Sequence, residues 1–328
     1  MDASYASLPS DSAGLARATA AGLHQLHAGD YAAVVTTQGA ALRSLTYQGR
    51  DLVVPSPAGQ PIPDYRGVIA APWPNRVADG LYSFDGEKLR LGVNEPERGC
   101  ALHGLVFDRE WSFSAAGKNS VTLSLELDPS RGYPFALHLE ASYILDADCG
   151  LQWEVRARNT GNRAAPYGVC PHPYLVAGEA PLDDWELEVP ASRFLEVTPD
   201  RLLPVRERHV GGDSFDFRSA RPIGRLEIDH AFTGLGFDTD GTARVTIRDR
   251  ANGSGVVMTW DAACCWLQIH TADKAAPAPS RVGLAVEPMT CPPDAFNSGT
   301  DLIVLAPGEE HTARWRINAL AGAPDPTY

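Results

Sequence analysis

The sequence predicts an all-β protein built as a large antiparallel β-sandwich. Three observations carry that expectation. Short runs rich in β-branched residues, or alternating apolar with polar, recur along the chain. Turn residues join neighbouring runs into hairpins, and 30 glycines with 26 prolines supply the punctuation. Beyond residue 30 no segment keeps a 3.6-residue apolar period for three turns, which excludes a barrel of alternating strands and helices.

The elements follow in order. YAAVVTT, AALRSLTY and RDLVV read as short opening strands. LYSFDGEKLRLG places Asp85-Gly86 between two alternating arms, a two-residue hairpin signal. WSFSAAGKNSVTLSLELD turns around Gly117-Lys118-Asn119, and FALHLEASYILDADCGLQWEVRARNTG turns at Asp148-Cys149-Gly150. WELEVP, ARVTIRDRANGSGVVMTW, CWLQIHT, VGLAVEP and DLIVLAPGEEHTARWRI complete the set. RHVGGDSFDFRSARPIG is the most irregular stretch. With strands on both sides, it reads as a functional loop rather than a domain boundary. Residues 1–28 are expected as a flexible N-terminal segment and 29–328 as a single β-sandwich domain.

Composition narrows the function. Of 328 residues, 44% are hydrophobic and 21% charged, enough apolar material for a full core. A formal net charge of -13 argues against nucleic acid and anionic membrane surfaces as partners. The N-terminus lacks the basic start and continuous apolar core of a secretory signal, and no apolar run approaches a membrane span. The six cysteines form no C-x-x-C pair and no zinc-ligand spacing, so small buried thiols in a reducing cytoplasm are expected. A monomer or weak homodimer is anticipated.

Chemistry-bearing residues gather where strand-like runs end. GVCPHPYL holds His172 between two prolines, which fix the local backbone; a catalyst needs such stiffness, and so does a structural turn. Asn75 and Arg76 follow the corner PWP, a pattern that also fits a turn with a surface arginine. His103 precedes a glycine that lets another group approach closely. Asp229 stands in IDHAF, and CWLQIHT adds Gln268 and His270. Glu287 ends the apolar run VGLAV, where desolvation would raise its pKa and make it a better base. Trp73, Trp111 and Trp266 suit a core, although a sugar cleft also wants an aromatic wall. No H-x-H, H-x-x-x-H, calcium loop, phosphate loop or G-x-S-x-G elbow is present. The expectation is an acid/base site with no metal and no cofactor.

In this order the motifs resemble the aldose 1-epimerase (galactose mutarotase-like) family. They are N-R with a later G and D-G (Asn75, Arg76, Gly80, Asp85, Gly86), L-H-G (Leu102 to Gly104) and H-x-Y (His172 to Tyr174). D-x-x-F (Asp229, Phe232), W-L-Q (Trp266 to Gln268), E-P-x-T (Glu287 to Thr290) and A-P-G-E (Ala306 to Glu309) follow. The match runs from about Tyr31 to the last strand. The resemblance implies the galactose mutarotase-like supersandwich, with His172 as general acid and Glu287 as general base; a carboxylate and an imidazole on opposite sides of C1–O5 can make both proton transfers without metal or nucleotide. It implies Asn75, Arg76, His103, Asp229 and Gln268 as binders of the hydroxyls of a monosaccharide (aldose) substrate. Three departures are visible. P-H-P-Y-L stands where galactose-type members read N-H-S-Y-F, P-W-P-N-R stands where they carry a longer G-R-x-x-N-R lead, and I-H-T follows Gln268 in place of F-Y-T, as in a divergent bacterial branch. A hexose-6-phosphate 1-epimerase, with Arg66, Arg76 and Arg98 as phosphate partners, is the nearest enzymatic alternative; a non-catalytic sugar sensor is the other.

Overall fold

A computed structural model of the chain describes residues 22–57 and 59–322. Three antiparallel sheets organise it. The largest orders its strands Ser112–Ala116, Ser120–Leu127, Leu137–Asp146, Gly150–Asn159, Glu310–Leu320, Gly255–Asp261, Thr242–Asp249, Trp185–Glu188 and Arg221–Pro222. A second runs Tyr174–Leu175, Leu284–Met289, Trp266–His270, Asp229–Leu235, Ala191–Val197 and Pro204–His209. A third joins Leu23–Ala28, Tyr31–Thr36, Leu42–Tyr47 and Arg50–Asp51. Ala295–Ser298 is the α-helical turn among the described residues, none of whose helices is long and apolar enough to cross a membrane.

The hairpins form where turn chemistry and alternation agree. Leu81–Phe84 pairs with Glu87–Arg90 across Asp85-Gly86, both in the left-handed region that such a turn requires. In Leu137–Asp146 every second side chain is buried. At its turn Asp146 Oδ1 accepts the backbone N–H groups of Asp148 at 2.9 Å and Cys149 at 2.8 Å. A carboxylate that satisfies the turn's own donors stabilises that turn over competing ones.

The sandwich core lies between the two larger sheets. Leu139, Val155, Ile247 and Ile317 from one meet Phe232, Leu267, Ile269 and Val286 from the other in a single apolar cluster. Trp315 Nε1 donates across the layers to the Pro288 carbonyl at 3.2 Å. The outer face of the smaller sheet is also covered. Ala231, Trp266 and Met289 pack there with Cys170, and Ala285 packs with Tyr174 and Ala272. All six residues of Leu284–Met289 are therefore buried, against the alternating pattern of a strand wet on one side.

Two sequence expectations change. Leu23–Ala28, assigned to the flexible segment, is a strand paired over its full length with Tyr31–Thr36; its LHQLHA alternation hides Leu26 in the core. Residues 1–21 lie outside the described residues. The irregular stretch 208–224 lines no part of the cleft described below. It seats Phe217 in the core and Phe215 against Phe194, so its irregularity serves packing.

Candidate active site

Period-two alternation puts Glu287, Gln268, His270 and Asp229 on the outer face of the six-stranded sheet, because Val286, Leu267 and Ile269 point into the core. Register does the rest. Gln268 lies directly opposite Glu287, and Asp229 directly opposite His270. The sequence reading put Glu287 at a strand end. The strand instead continues through Pro288, opposite Leu267, to Met289, so the carboxylate stands mid-strand on a rigid support.

His172 reaches Glu287 from a clamped segment. Its N–H donates to the Val68 carbonyl at 3.0 Å, and its carbonyl accepts from Gly67 at 2.8 Å. Pro171 and Pro173 restrict the backbone on either side. The ring stacks on Tyr174, centroids 5.4 Å apart, and its Nε2 lies 3.4 Å from Glu287 Oε1. The acid and base implied by the family resemblance, far apart in the chain, are in contact.

Asn75 and His103 are clasped to each other. His103 N–H donates to the Asn75 carbonyl at 3.0 Å, while Asn75 N–H donates to His103 Nδ1 at 3.3 Å. Both residues hold left-handed backbone, φ 54° and 59°. Such conformations cost L-residues roughly 1–2 kcal/mol and cluster at functional sites. Gly104 is obligatory here, since a Cβ would sit 1.9 Å from the Ala71 carbonyl oxygen. Arg76 makes a bidentate pair with Glu95, both bonds 2.8 Å, and Arg98 adds 3.0 Å to the same carboxylate. Burial alone would lower the Arg76 pKa; the bonds to Glu95 and the fields of Asp229 and Glu95 raise it instead.

These residues line one cleft of about 430 Å³. All seven positions singled out by sequence are there: Asn75, Arg76, His103, His172, Asp229, Gln268 and Glu287. Sequence reasoning did not select Tyr65, Glu95, Asp273 and Lys274, which come from loops without periodic signal. His270, which the sequence names beside Gln268 in CWLQIHT, lines the cleft as well, two residues on and so on the same strand face. The aromatic wall is Tyr65 and Tyr174; Trp73, Trp111 and Trp266 are buried elsewhere. Of the arginines considered for phosphate, Arg66 is held by Asp64 at 2.9 Å, and Arg76 and Arg98 by Glu95.

The electrostatics favour a neutral acid/base pair. Burial holds Glu287 well above the ordinary carboxylic range, with the Asp229 carboxylate adding and Arg76 opposing. Burial pulls His172 down to about 3, and His270 pushes the same way. His103 falls well below the usual histidine value, again chiefly through burial.

His103, His172 and Glu287 are also a group whose donor atoms all lie within 4.8 Å, a cluster that linear spacing did not reveal. The hydrogen bonding fits a metal poorly. His103 Nδ1 accepts the Asn75 N–H, so the proton of the neutral ring sits on Nε2 and leaves that nitrogen without a lone pair. His172 Nδ1 has no hydrogen-bond partner, whereas metal-bound histidines have their second nitrogen fixed.

Comparison with known proteins bears on the family and the fold. The aldose 1-epimerase family model matches residues 23–318. The chain is 39% identical over 293 residues to the uncharacterized protein YihR of Escherichia coli K12, covering 89% of this chain and 91% of that protein. It is 27% identical over 270 residues to galactose mutarotase of Bos taurus, 75% of this chain and 76% of that one. Among solved structures, the GalM/aldose epimerase homologue from C. elegans superposes with a TM-score of 0.81 at 20% identity, covering 92% of this chain and 99% of that chain. A putative aldose 1-epimerase from E. coli K12 gives 0.77 at 22% identity, covering 91% and 99%. At those identities the structures speak for the fold. The family match over nearly the whole chain speaks for more: the chain belongs to the aldose 1-epimerase family of isomerases.

Proposed function

We propose that the protein interconverts the α and β anomers of a free aldose, with Glu287 as base and His172 as acid. The observation that carries this reading is the 3.4 Å contact between His172 Nε2 and Glu287 Oε1 in a sugar-sized cleft. A hemiacetal offers two oxygens on one carbon, so one contacting pair can serve both. Glu287 takes the O1 proton, C1=O1 forms, the C1–O5 bond breaks, and O5 takes a proton from His172. Rotation about C1–C2 exposes the other carbonyl face. His172 then removes the O5 proton as O5 attacks C1, and Glu287 returns its proton to O1. One proton on the pair suffices for both halves, being on His172 before opening and on Glu287 while the chain is open. Carboxylic acid facing neutral imidazole, the form favoured by burial, is the open-chain partner of that cycle.

Binding follows from unmet hydrogen-bonding capacity. His172 Nδ1, Gln268 Oε1 and His270 Nδ1 are buried polar atoms without a hydrogen-bond partner, all on cleft residues. Each such atom costs about 1–3 kcal/mol, a cost that concentrates where a ligand binds. Asn75 Oδ1 is taken by the Arg76 backbone N–H at 2.9 Å, which leaves its NH₂ for a sugar hydroxyl.

A hexose 6-phosphate is the second reading, favoured by Arg98 and Lys274 at the cleft. Their pairing with Glu95 and Asp64 lowers what they offer an anion. The test is NMR or polarimetry of freshly dissolved anomers over a panel of free and 6-phosphorylated sugars, with and without chelator. Accelerated mutarotation of a free aldose, indifferent to chelator, is expected. Binding without acceleration would leave a sensor, and a response to phosphorylated sugars alone would favour the second reading.

A further inference from the structure

We propose that the Asp64–Lys274 ion pair is a strap across the mouth of the cleft, and that it confines the substrate to a single unsubstituted monosaccharide. The inference rests on the anomer-exchange reading above and names the substrate class that the same site selects.

The pair joins two segments that reach the cleft from distant parts of the chain. Lys274 Nζ lies 2.5 Å from Asp64 Oδ1, 210 residues away in sequence. Asp64 Oδ2 also holds Arg66 at 2.9 Å, and the Arg66 guanidinium stands over the Tyr174 ring, 5.5 Å from its centroid. The segment of Asp64 is tied to the acid itself, because Gly67 N–H donates to the His172 carbonyl at 2.8 Å. The segment of Lys274 is held at its base. Arg281 Nη1 donates to Asp273 Oδ1 at 2.8 Å, and the Ser280 hydroxyl accepts the Lys274 N–H at 2.9 Å. Both arms are anchored, and the ion pair is where they meet. The side chains of Glu287 and His172 are 3% and 5% exposed, those of Asp64 and Lys274 25% and 31%, so the first pair forms the floor of the cleft and the second its rim.

Backbone strain marks the same place. Asp64 and Tyr65 are consecutive non-glycine residues in the left-handed region, φ 54° and 58°, a state that persists only where its surroundings over-determine it. Tyr65 thereby packs on His103, ring centroids 4.7 Å apart, while Asp64 faces Lys274. Burial alone would raise the Asp64 carboxyl; its bonds to Lys274 and Arg66, with their fields, hold it below its ordinary value instead. The acid/base pair orients the sugar. The anomeric carbon has to meet Glu287 and His172 at the floor, so the far edge of the ring, C4 with the exocyclic C6, faces the rim. A glycosyl group on either position has to part the ion pair to leave the cleft. The discrimination is then what the pair is worth, about fivefold for a partly exposed ion pair.

The experiment measures kcat/KM for anomer exchange by NMR on D-glucose, maltose and melibiose, which share a reducing glucose and differ in a glycosyl group at C4 or C6. Wild type, Asp64→Ala, Lys274→Ala and the double variant are compared, with circular dichroism to confirm folding. Wild type should favour glucose over at least one disaccharide, and each variant should narrow that ratio about fivefold. The double variant should narrow it no further than either single one, because the pair is broken only once. High salt should narrow the ratio in wild type and leave the double variant as it is. Additive effects of the two single changes, or a wild type that turns over all three sugars alike, would overturn the strap. A further test needs no turnover. Followed by ¹³C NMR in the free protein, the Asp64 carboxyl should titrate below its ordinary range and move up in Lys274→Ala; an unmoved titration overturns the strap. A wild type that accelerates no sugar defeats the anomer-exchange reading, and the Asp64 titration still decides whether the pair forms.

Discussion

Two strands of this molecule obey the same backbone geometry and opposite chemistry. Leu137–Asp146 hides every second side chain, and all those hidden are apolar. Leu284–Met289 hides everything, including a carboxyl group, with Val286 in the sandwich core and Glu287 turned to the cleft. The first strand gains stability from each residue it buries. The second spends stability to hold a carboxyl beside an imidazole, both buried. Burial is the same physical act in both; what is buried decides whether it stabilises the fold or arms a site.

The largest expected effect separates the two directly. Glu287→Gln should lower kcat about 10³-fold, the usual range for a general base, while raising stability at neutral pH by about 1 kcal/mol. The sign follows from linkage. A carboxyl held above its ordinary 4.5 contributes stability below that value and loses it as pH rises through the folded pKa. The gain in Tm of the variant should therefore be present at pH 7–8 and vanish near pH 4. An equal gain at both pH values would show that ionisation is not its origin. His172, depressed to about 3, has the opposite sign: its contribution is complete above 6.5 and is lost as pH falls toward 3. Wild-type melting curves should accordingly lose stability on the acid side.

Leu139→Ala should do the reverse of Glu287→Gln, losing about 3 kcal/mol from the filled core while each folded molecule keeps its full kcat. Denaturant unfolding and active-site-normalised rates would check it. Arg76→Ala tests the border between the two regimes. It leaves Glu95 buried, with Arg98 as the remaining partner among the described residues, so about 3 kcal/mol should be lost and KM should rise. Loss of stability with KM unchanged would make Arg76 purely structural. Smallest is Gly86→Ala in the distant hairpin. The site is open but left-handed, so about 1 kcal/mol and no activity should be lost.

The two regimes were also unequally legible in the sequence. Strands and hairpins were readable because alternation and turn residues are local. The Asp85-Gly86 and Gly117-Lys118-Asn119 turns fall where the residues put them. The seven cleft residues were readable as a series of family motifs, each weak alone. What escaped was what depends on space. The Asn75–His103 clasp joins loops 28 residues apart, and Glu95 enters only because Arg76 needs a buried counterion. The stretch 208–224 misled because irregular backbone over a buried Phe217 resembles irregular backbone over a ligand. Leu23–Ala28 was overlooked although Gly29-Asp30 joins it to Tyr31–Thr36 by a two-residue turn, because a six-residue run beside a small-residue segment carries little signal of its own.

The cross-strand pairing of Gln268 with Glu287 limits how this protein can be rebuilt. Sliding either strand by one position would exchange the two faces, sending Val286 toward the sugar and a carboxylate into oil. A one-residue insertion inside Trp266–His270 or Leu284–Met289 therefore erases catalysis and core together. The connecting segment 271–283, which carries Asp273 and Lys274 to the cleft rim, has no such parity to keep. New sugar preferences are to be sought there, where length can vary without inverting a sheet.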